Sequence, residues 1–302
     1  MERAEIGRSY LRKGPDASIT MEYITLNDGN SLPLLGFGTY KASEEEGIES
    51  VKLALEKGYR LIDTAARYNN EEAVGKGIRQ SKVARSEIIV ATKVWRETLG
   101  YDNTMNAFET SLKKLDLDYI DLYLIHWPAN AKNYSKWQEV NAETWRAMEG
   151  LQDQGLIKSI GVSNFWEEHL EALFETANVK PAVNQIEFHP GYWQPELTQF
   201  CRDRDIVIEG WSPLARGKVF GNDLLEQIAE NHQKSVSQIC LRWAVEHRVI
   251  SIPKSTTPER IEENLQIFDF RLTEEEIQAI NEIPEMGFSG ELPNNWPGRY
   301  RS

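Results

Sequence analysis

The stretch IDLYLIHWP, residues 120–128, is a short apolar run that ends on His126 and is stopped by Pro128. A run that is apolar on both faces suits a parallel strand covered by helices. A polar side chain at the C-terminal end of such a strand is the mark of a barrel mouth. The same pattern occurs in YRLIDTA (59–65), which presents Asp63, and in IIVATKVW (88–95), which presents Lys93. Tyr68 follows Asp63 in the loop RYNNEE, residues 67–72. A phenol, an ammonium, a carboxylate and an imidazole at one edge of a sheet make a proton-transfer site.

Working outward, β-branched and apolar runs recur at Leu34–Phe37, Arg60–Asp63, Ile88–Thr92, Ile120–Ile125, Ser159–Val162, Val183–Glu187, Ile206–Glu209 and Val249–Ile252. Helical periodicity fills the gaps, as in EEEGIESVKLALEKG (44–58), where Ile48, Val51 and Leu55 share a face and Gly58 is a stop. Eight such strands in roughly 250 residues match a closed (β/α)8 TIM barrel. A doubly wound sheet would need G-x-G-x-x-G at its first turn. GFGTYK (36–41) supplies Gly36 and Gly38 but no third glycine, so that reading is rejected. Before the barrel, YITLNDGNSLPLL predicts an N-terminal β-hairpin turning at Asp28-Gly29. SVSQICLRWAVEH (235–247) and TEEEIQAINEI (273–283) predict two extra helices, and a Pro/Gly/aromatic tail runs from Pro284. Residues 1–20 are polar, lack the apolar core of a signal peptide and read as a poorly ordered leader; residues 21–302 read as one barrel domain.

Bulk composition narrows the function. A formal net charge of −13 argues against nucleic acid or an anionic membrane as partner. No segment reaches the roughly 18 apolar residues of a membrane span. Cys201 and Cys240 form no disulfide framework and no metal-ligand spacing, so no metal is expected and the cytoplasm is the default compartment.

Polar or aromatic groups stand at nearly every strand end: Asp63, Lys93, His126, Ser163-Asn164, Gln185, Trp211-Ser212 and Lys254-Ser255. A lysine cation near a tyrosine favours the phenolate and is expected to lower a pKa that is ordinarily about 10. Asp63 would keep a buried Lys93 charged, and His126 would orient a carbonyl oxygen. Together they deliver a proton to an oxygen as negative charge develops on it, which is the need of carbonyl reduction by hydride. Plainer readings stand beside this one: Asp63 and Lys93 as a buried ion pair, His126 as a core histidine, Tyr68 as a surface aromatic. A Schiff-base aldolase using Lys93 is a further alternative.

LIDTAARYNNE, ATKVW, YLIHWP, GVSNF, NQIEFHP, GWSPLARG and IPKSTTPERIEEN, in that order, resemble the sequential motifs of the aldo-keto reductase superfamily. The resemblance runs from about Ile24 to Ile283. It implies NADPH extended across the barrel mouth and hydride transfer to an aldehyde or ketone. It assigns Tyr68 as general acid, Lys93 and Asp63 as its tuning pair, and His126 as the carbonyl-positioning group. It also implies cofactor contacts from Gly38, Thr39, Asp63, Ser163, Asn164, Gln185, Trp211, Ser212 and Leu214. Trp211, in place of the commoner tyrosine, resembles bacterial members of the 2,5-diketo-gluconate reductase type. The glycine usual after SPL is Ala215 here, with Gly217 two residues on.

In IPKSTTPER, two cations and a hydroxyl (Lys254, Ser255, Arg260) stand near a helix start, where anions are favoured. A capped turn, with Thr257 as N-cap and Pro258 first in the helix, would give the same sequence. The resemblance supports 2′-phosphate recognition, with Glu263 and Asn264 flanking the adenine. Tyr40, Trp95, His126, Trp127 and Trp296 are the expected substrate contacts, with PANAKNYSKW (128–137) and the tail as lids. The resemblance favours a monomer. It leaves one non-enzymatic alternative, a cofactor-binding regulatory subunit of the channel β-subunit type.

Overall fold

The computed structural model describes residues 8–13 and 20–295. Strands β1 (Ser9–Lys13), β2 (Thr20–Thr25) and β3 (Ser31–Pro33) form an antiparallel sheet in that order. The expected hairpin is β2–β3: Leu26 donates to Asn30 across the turn, and Gly29 takes the φ of +88° that the turn requires. The reading of residues 1–20 as an unpatterned leader is corrected at Ser9–Lys13. There Tyr10 stacks on Tyr23 with ring centroids 5.9 Å apart, and Arg12 lies over the same ring. These contacts and the register Ser9↔Ile24 to Lys13↔Thr20 make the hairpin a three-stranded sheet.

Eight parallel strands follow: β4 (Phe37–Gly38), β5 (Leu61–Asp63), β6 (Ile89–Val94), β7 (Ile120–Ile125), β8 (Ile157–Ser163), β9 (Val183–Glu187), β10 (Val207–Trp211) and β11 (Ile250–Ser251). Each pairs with its neighbour in sequence. Parallel bridges Leu35↔Ser251 and Gly38↔Lys254 bring the last strand back to the first and close the barrel. Gly36 and Gly38 serve that closure and not a dinucleotide turn. A Cβ at Gly38 would stand 2.7 Å from the Ile252 carbonyl oxygen, so only glycine lets the two strands approach.

Helices α1 (Glu44–Lys57), α2 (Glu71–Gln80), α3 (Tyr101–Leu115), α4 (Trp137–Asp153), α5 (Glu167–Phe174) and α6 (Pro195–Arg202) alternate with the strands. In α1, Ser43 and Glu46 form a capping box, Val51 and Leu55 are buried, and Gly58 ends the helix with φ +120°. Two helices lie between β10 and β11. The segment 235–247, expected as an extra helix, is the crossover α8 (Val236–Glu246); the additional one is α7 (Asp223–His232), which the sequence reading did not single out. After α9 (Pro258–Asn264) comes α10 (Glu274–Asn281), the second additional helix.

The β2–β3 hairpin caps the N-terminal end of the barrel. Asn27 Nδ2 donates to the carbonyls of Pro181 and Asp205, and Asn30 Nδ2 to Ser159 Oγ, all near strand starts. That end is sealed, and the C-terminal strand ends are left to form the mouth. Among the described residues no helix is long and apolar enough to cross a membrane.

Candidate functional site

Lys93 is the centre of the site. It is fully buried on β6, and its Nζ donates to Asp63 Oδ1 at 2.7 Å, to the Thr64 carbonyl at 2.9 Å and to the Tyr68 hydroxyl at 3.4 Å. Burial alone would draw the ammonium down, but Asp63, Tyr68 and Glu209 together outweigh it and the net direction is upward. The lysine is therefore a held cation.

Tyr68 ends a single 3-10 turn, Ala66–Tyr68, which Asn69 closes in the left-handed conformation at φ +54°. Buried hydrogen bonds lock this loop: Thr39 Oγ1 to the Asp63 carbonyl, Asn70 Nδ2 to the Thr39 carbonyl, and Thr64 Oγ1 to Asn70 Oδ1. The expected lowering of the Tyr68 pKa is corrected. Burial raises it, Lys93 lowers it by less, and the phenol is pushed up to about 12. A buried phenolate loses more hydration than one cation 3.4 Å away returns.

His126, 8% exposed, directly follows β7 with its ring 5.7 Å from that of Tyr68 and 5.1 Å from that of Trp95. Burial, then Lys93, Arg96 and Arg67, hold its pKa well below the ordinary value. A neutral imidazole keeps one N–H to donate.

Tyr68, Asp63 and His126 open into a cleft of about 1190 Å³, with Lys93 buried behind them. Its lining includes Gly38, Thr39, Asp63, Ser163, Asn164, Gln185, Trp211, Ser212 and Lys254 of the expected cofactor contacts, and Tyr40, Trp95, His126 and Trp127 of the expected substrate contacts. The volume exceeds the usual range for a single small ligand, and the elongated cofactor expected from the sequence suits it. Ser163 Oγ donates to the Gln185 carbonyl, Asn164 Nδ2 to the His126 carbonyl, and Trp211 Nε1 to Asn164 Oδ1, so the floor is pre-ordered. Leu214, Ser255, Arg260, Glu263 and Asn264 do not line the cleft; the last four lie on and just before α9, beyond Lys254. Thr257 occupies the N-cap position of α9 and Pro258 its first turn, but no side chain caps the helix. Trp296 lies outside the described residues.

Ala215, Arg216 and Gly217 have φ of +51°, +52° and +87°. Ala215 thus stands in the conformation that favours the glycine it replaces.

The two expected lids meet. Asn130 Nδ2 donates to the Pro293 carbonyl and Lys132 Nζ to Asn295 Oδ1, while the Ser289 hydroxyl donates to Glu187 Oε1 at 2.6 Å. Ser289, Glu291 and Asn295 of the tail line the cleft.

Glu209 was read only as part of a strand. It is wholly buried on β10; its Oε2 accepts from Gln185 Nε2 at 2.9 Å, and the same amide donates to Asp63 Oδ2 at 2.9 Å. Its Oε1 has no partner among the described residues. Burial and then Asp63 push its pKa up to about 7. A carboxylate inside the apolar run VIEGW was the available signal. Arg67 and Arg96, which also line the cleft, were likewise passed over.

A closed parallel barrel that gathers Asp63, Lys93, Tyr68 and His126 at the C-terminal ends of its strands, beside a large cleft, defines a barrel enzyme with a proton-transfer site. The sequence profile described as "Aldo/keto reductase family" matches residues 34–285, and the chain belongs to that family. It is similar to the glyoxal reductase of Bacillus subtilis (strain 168), 49% identical over 261 residues covering 86% of this chain and 92% of that protein. It is also similar to the methylglyoxal reductase DkgA of Escherichia coli (strain K12), 43% identical over 277 residues covering 91% and 98%. Among solved structures, a mutant of Gox0644 in complex with NADPH superposes with a TM-score of 0.84 at 41% identity, covering 90% of this chain and 97% of that one.

Proposed function

We propose that this protein reduces small aldehydes and ketones to alcohols with NADPH, Tyr68 giving the proton. The observation that carries the reading is the chain Asp63–Lys93–Tyr68, with distances of 2.7 and 3.4 Å, opening beside His126 into the cleft. When bound, NADPH supplies the hydride. Tyr68, protonated across the physiological range, has a proton to give. Lys93 places a fixed positive charge behind that hydroxyl, which favours transfer as charge develops on the substrate oxygen. Asp63 keeps Lys93 charged, and neutral His126 donates to the carbonyl oxygen and sets its angle.

Gly38, Thr39, Asp63, Ser163, Asn164, Gln185, Trp211, Ser212 and Leu214 would hold the nicotinamide and pyrophosphate end. Lys254, Ser255, Arg260, Glu263 and Asn264 would hold the adenosine 2′-phosphate end, where two cations and a hydroxyl suit a phosphate. Tyr40, Trp95 and Trp127 wall the substrate. The glyoxal and methylglyoxal reductases among its relatives support small dicarbonyls as substrates. Two free cysteines, both buried, accord with the cytoplasm, and a monomer rests on the resemblance alone.

A Schiff-base aldolase fits less well, since Lys93 is held as an ammonium by Asp63 and carries no free electron pair. A purely regulatory role finds no support in relatives that are named as reductases. The test is the loss of NADPH absorbance on adding methylglyoxal. Steady turnover supports the proposal, and its absence with any aldehyde overturns it.

A further inference from the structure

We propose that Glu209 is a positioning residue for the reduction: through Gln185 it holds Asp63 and the carboxamide end of the cofactor in place, and its charge sets the field behind Tyr68. This rests on the reduction proposed above and deepens it. Glu209 of β10 pairs in register with Gln185 of β9, so the two side chains share one face of adjacent strands. A primary amide has two N–H hydrogens. Gln185 spends both from Nε2, one on Glu209 Oε2 and one on Asp63 Oδ2, each at 2.9 Å. An ionised carboxylate only accepts, so the amide is fixed with its nitrogen toward the two acids. Its carbonyl oxygen is left as an acceptor, the partner that a carboxamide N–H would need. Asp63 gives its other oxygen to Lys93 at 2.7 Å, and Lys93 reaches the Tyr68 hydroxyl at 3.4 Å. Glu209 thus stands at the far end of a hydrogen-bonded chain that finishes on the proton donor.

Packing gives no reason for an acid at this position. Barrel interiors are filled mainly by branched apolar side chains. Glu209 is wholly buried, and its Oε1 has no partner among the described residues. A buried carboxylate left partly unsatisfied costs stability that an apolar side chain would not. The charged groups that bear on it are Asp63 of β5, which opposes its ionisation, and Lys93 of β6, which favours it. Two carboxylates therefore share one cation. With both ionised the buried cluster carries one negative charge in excess; with Glu209 protonated it is neutral. Burial and Asp63 push the Glu209 pKa up to about 7, so this change of charge falls near neutral pH. An added buried anion opposes the negative charge that develops on the substrate oxygen. Ionisation of Glu209 accordingly slows proton transfer from Tyr68.

The experiment has a binding arm and a rate arm. NADPH affinity, followed by its fluorescence on titration, is compared in wild type, Glu209→Leu, Gln185→Leu and the double variant. Glu209→Leu is expected to weaken NADPH by roughly 3–10-fold, the worth of one hydrogen bond. Added to Gln185→Leu it should cost nothing further, because its action passes through that amide. Glu209→Gln keeps an acceptor oxygen and should restore binding. In single turnover with methylglyoxal, NADPH oxidation by the wild type should slow by roughly tenfold from about pH 6 to about pH 8, the effect of one charge at an effective dielectric near 20. Glu209→Gln should lack that step. This isosteric variant decides the rate arm even if the leucine variant does not fold. Unchanged affinity in Glu209→Leu, or a loss that adds in full to that of Gln185→Leu, overturns the hold on Gln185. Identical pH profiles for wild type and Glu209→Gln overturn the field behind Tyr68. If methylglyoxal is not reduced at any pH, the reduction itself fails, and the binding arm still decides whether Glu209 holds Gln185.

Discussion

Lys93 donates to the Tyr68 hydroxyl across 3.4 Å while remaining ion-paired to Asp63 at 2.7 Å. One ammonium thus serves a structural and a chemical partner at once, and the two roles separate experimentally. Lys93→Met should lower kcat by roughly a hundredfold or more through loss of the field behind the proton donor. It should also destabilise the fold by about 3–5 kcal/mol, because the Asp63 carboxylate is left buried and unpaired. Adding Asp63→Asn should recover part of that stability and none of the activity. Denaturant unfolding of the four proteins in the cycle checks this; additive losses would contradict the coupling.

The Tyr68 phenol, pushed up to about 12, gives a second prediction. Folded protein keeps this proton where the unfolded chain, with a pKa near 10, has lost it. Its contribution to stability is therefore full below pH 10 and is lost as pH rises toward 12. Ultraviolet difference titration of wild type against Tyr68→Phe, without cofactor, should reveal no Tyr68 phenolate below about pH 11. A Tyr68-dependent step near pH 8 would mean that Lys93 outweighs burial after all.

Glu209 titrates in the opposite part of the range. Its folded pKa of about 7 lies above that of an ordinary glutamate, so the folded state binds the extra proton between roughly pH 4.5 and 7. Stability is greatest below that window and is lost as pH rises through it. Glu209→Gln should match the wild type near pH 5 and exceed it at pH 8 by on the order of 1–3 kcal/mol. Parallel stability curves for the two proteins would show that Glu209 does not titrate there.

Ala215, buried with φ +51°, occupies a conformation that costs an L-residue roughly 1–2 kcal/mol. Ala215→Gly removes that cost and gives back about 0.4–1 kcal/mol in unfolded-state entropy. Its stability should equal or slightly exceed that of the wild type. Ala215→Val should lose more than about 1 kcal/mol, since β-branching fits this region poorly. Thermal unfolding decides between these outcomes; a destabilised glycine variant would remove the strain argument.

Much of this was legible because a parallel barrel writes its own pattern. The apolar run of β7 and the polar residues at or beside the C-terminal ends of β5, β6 and β7 placed Asp63, Lys93 and His126 without coordinates. Strand ends shifted by at most three residues, the largest shift being the start of β4 from Leu34 to Phe37. What the sequence hid was three-dimensional. Gln185 looked like one more strand-end amide, yet it bridges Asp63 and Glu209 from sequence distances of 122 and 24 residues. The balance between burial and the Lys93 charge at Tyr68 depends on depth, which spacing does not encode. Ser9–Lys13 was missed because its strand is held by contacts with Tyr23 and not by an apolar face of its own. Helix α7 was missed beside the stronger periodicity of α8.

Replacement of the Tyr68 hydroxyl tests the central claim most directly, because Tyr68→Phe removes a single oxygen and leaves the ring among Tyr40, Lys93 and His126. Turnover of methylglyoxal should fall by roughly 100–10,000-fold, while NADPH, followed by its fluorescence on titration, binds as tightly as to the wild type. Full turnover in that variant would show that the proton comes from elsewhere.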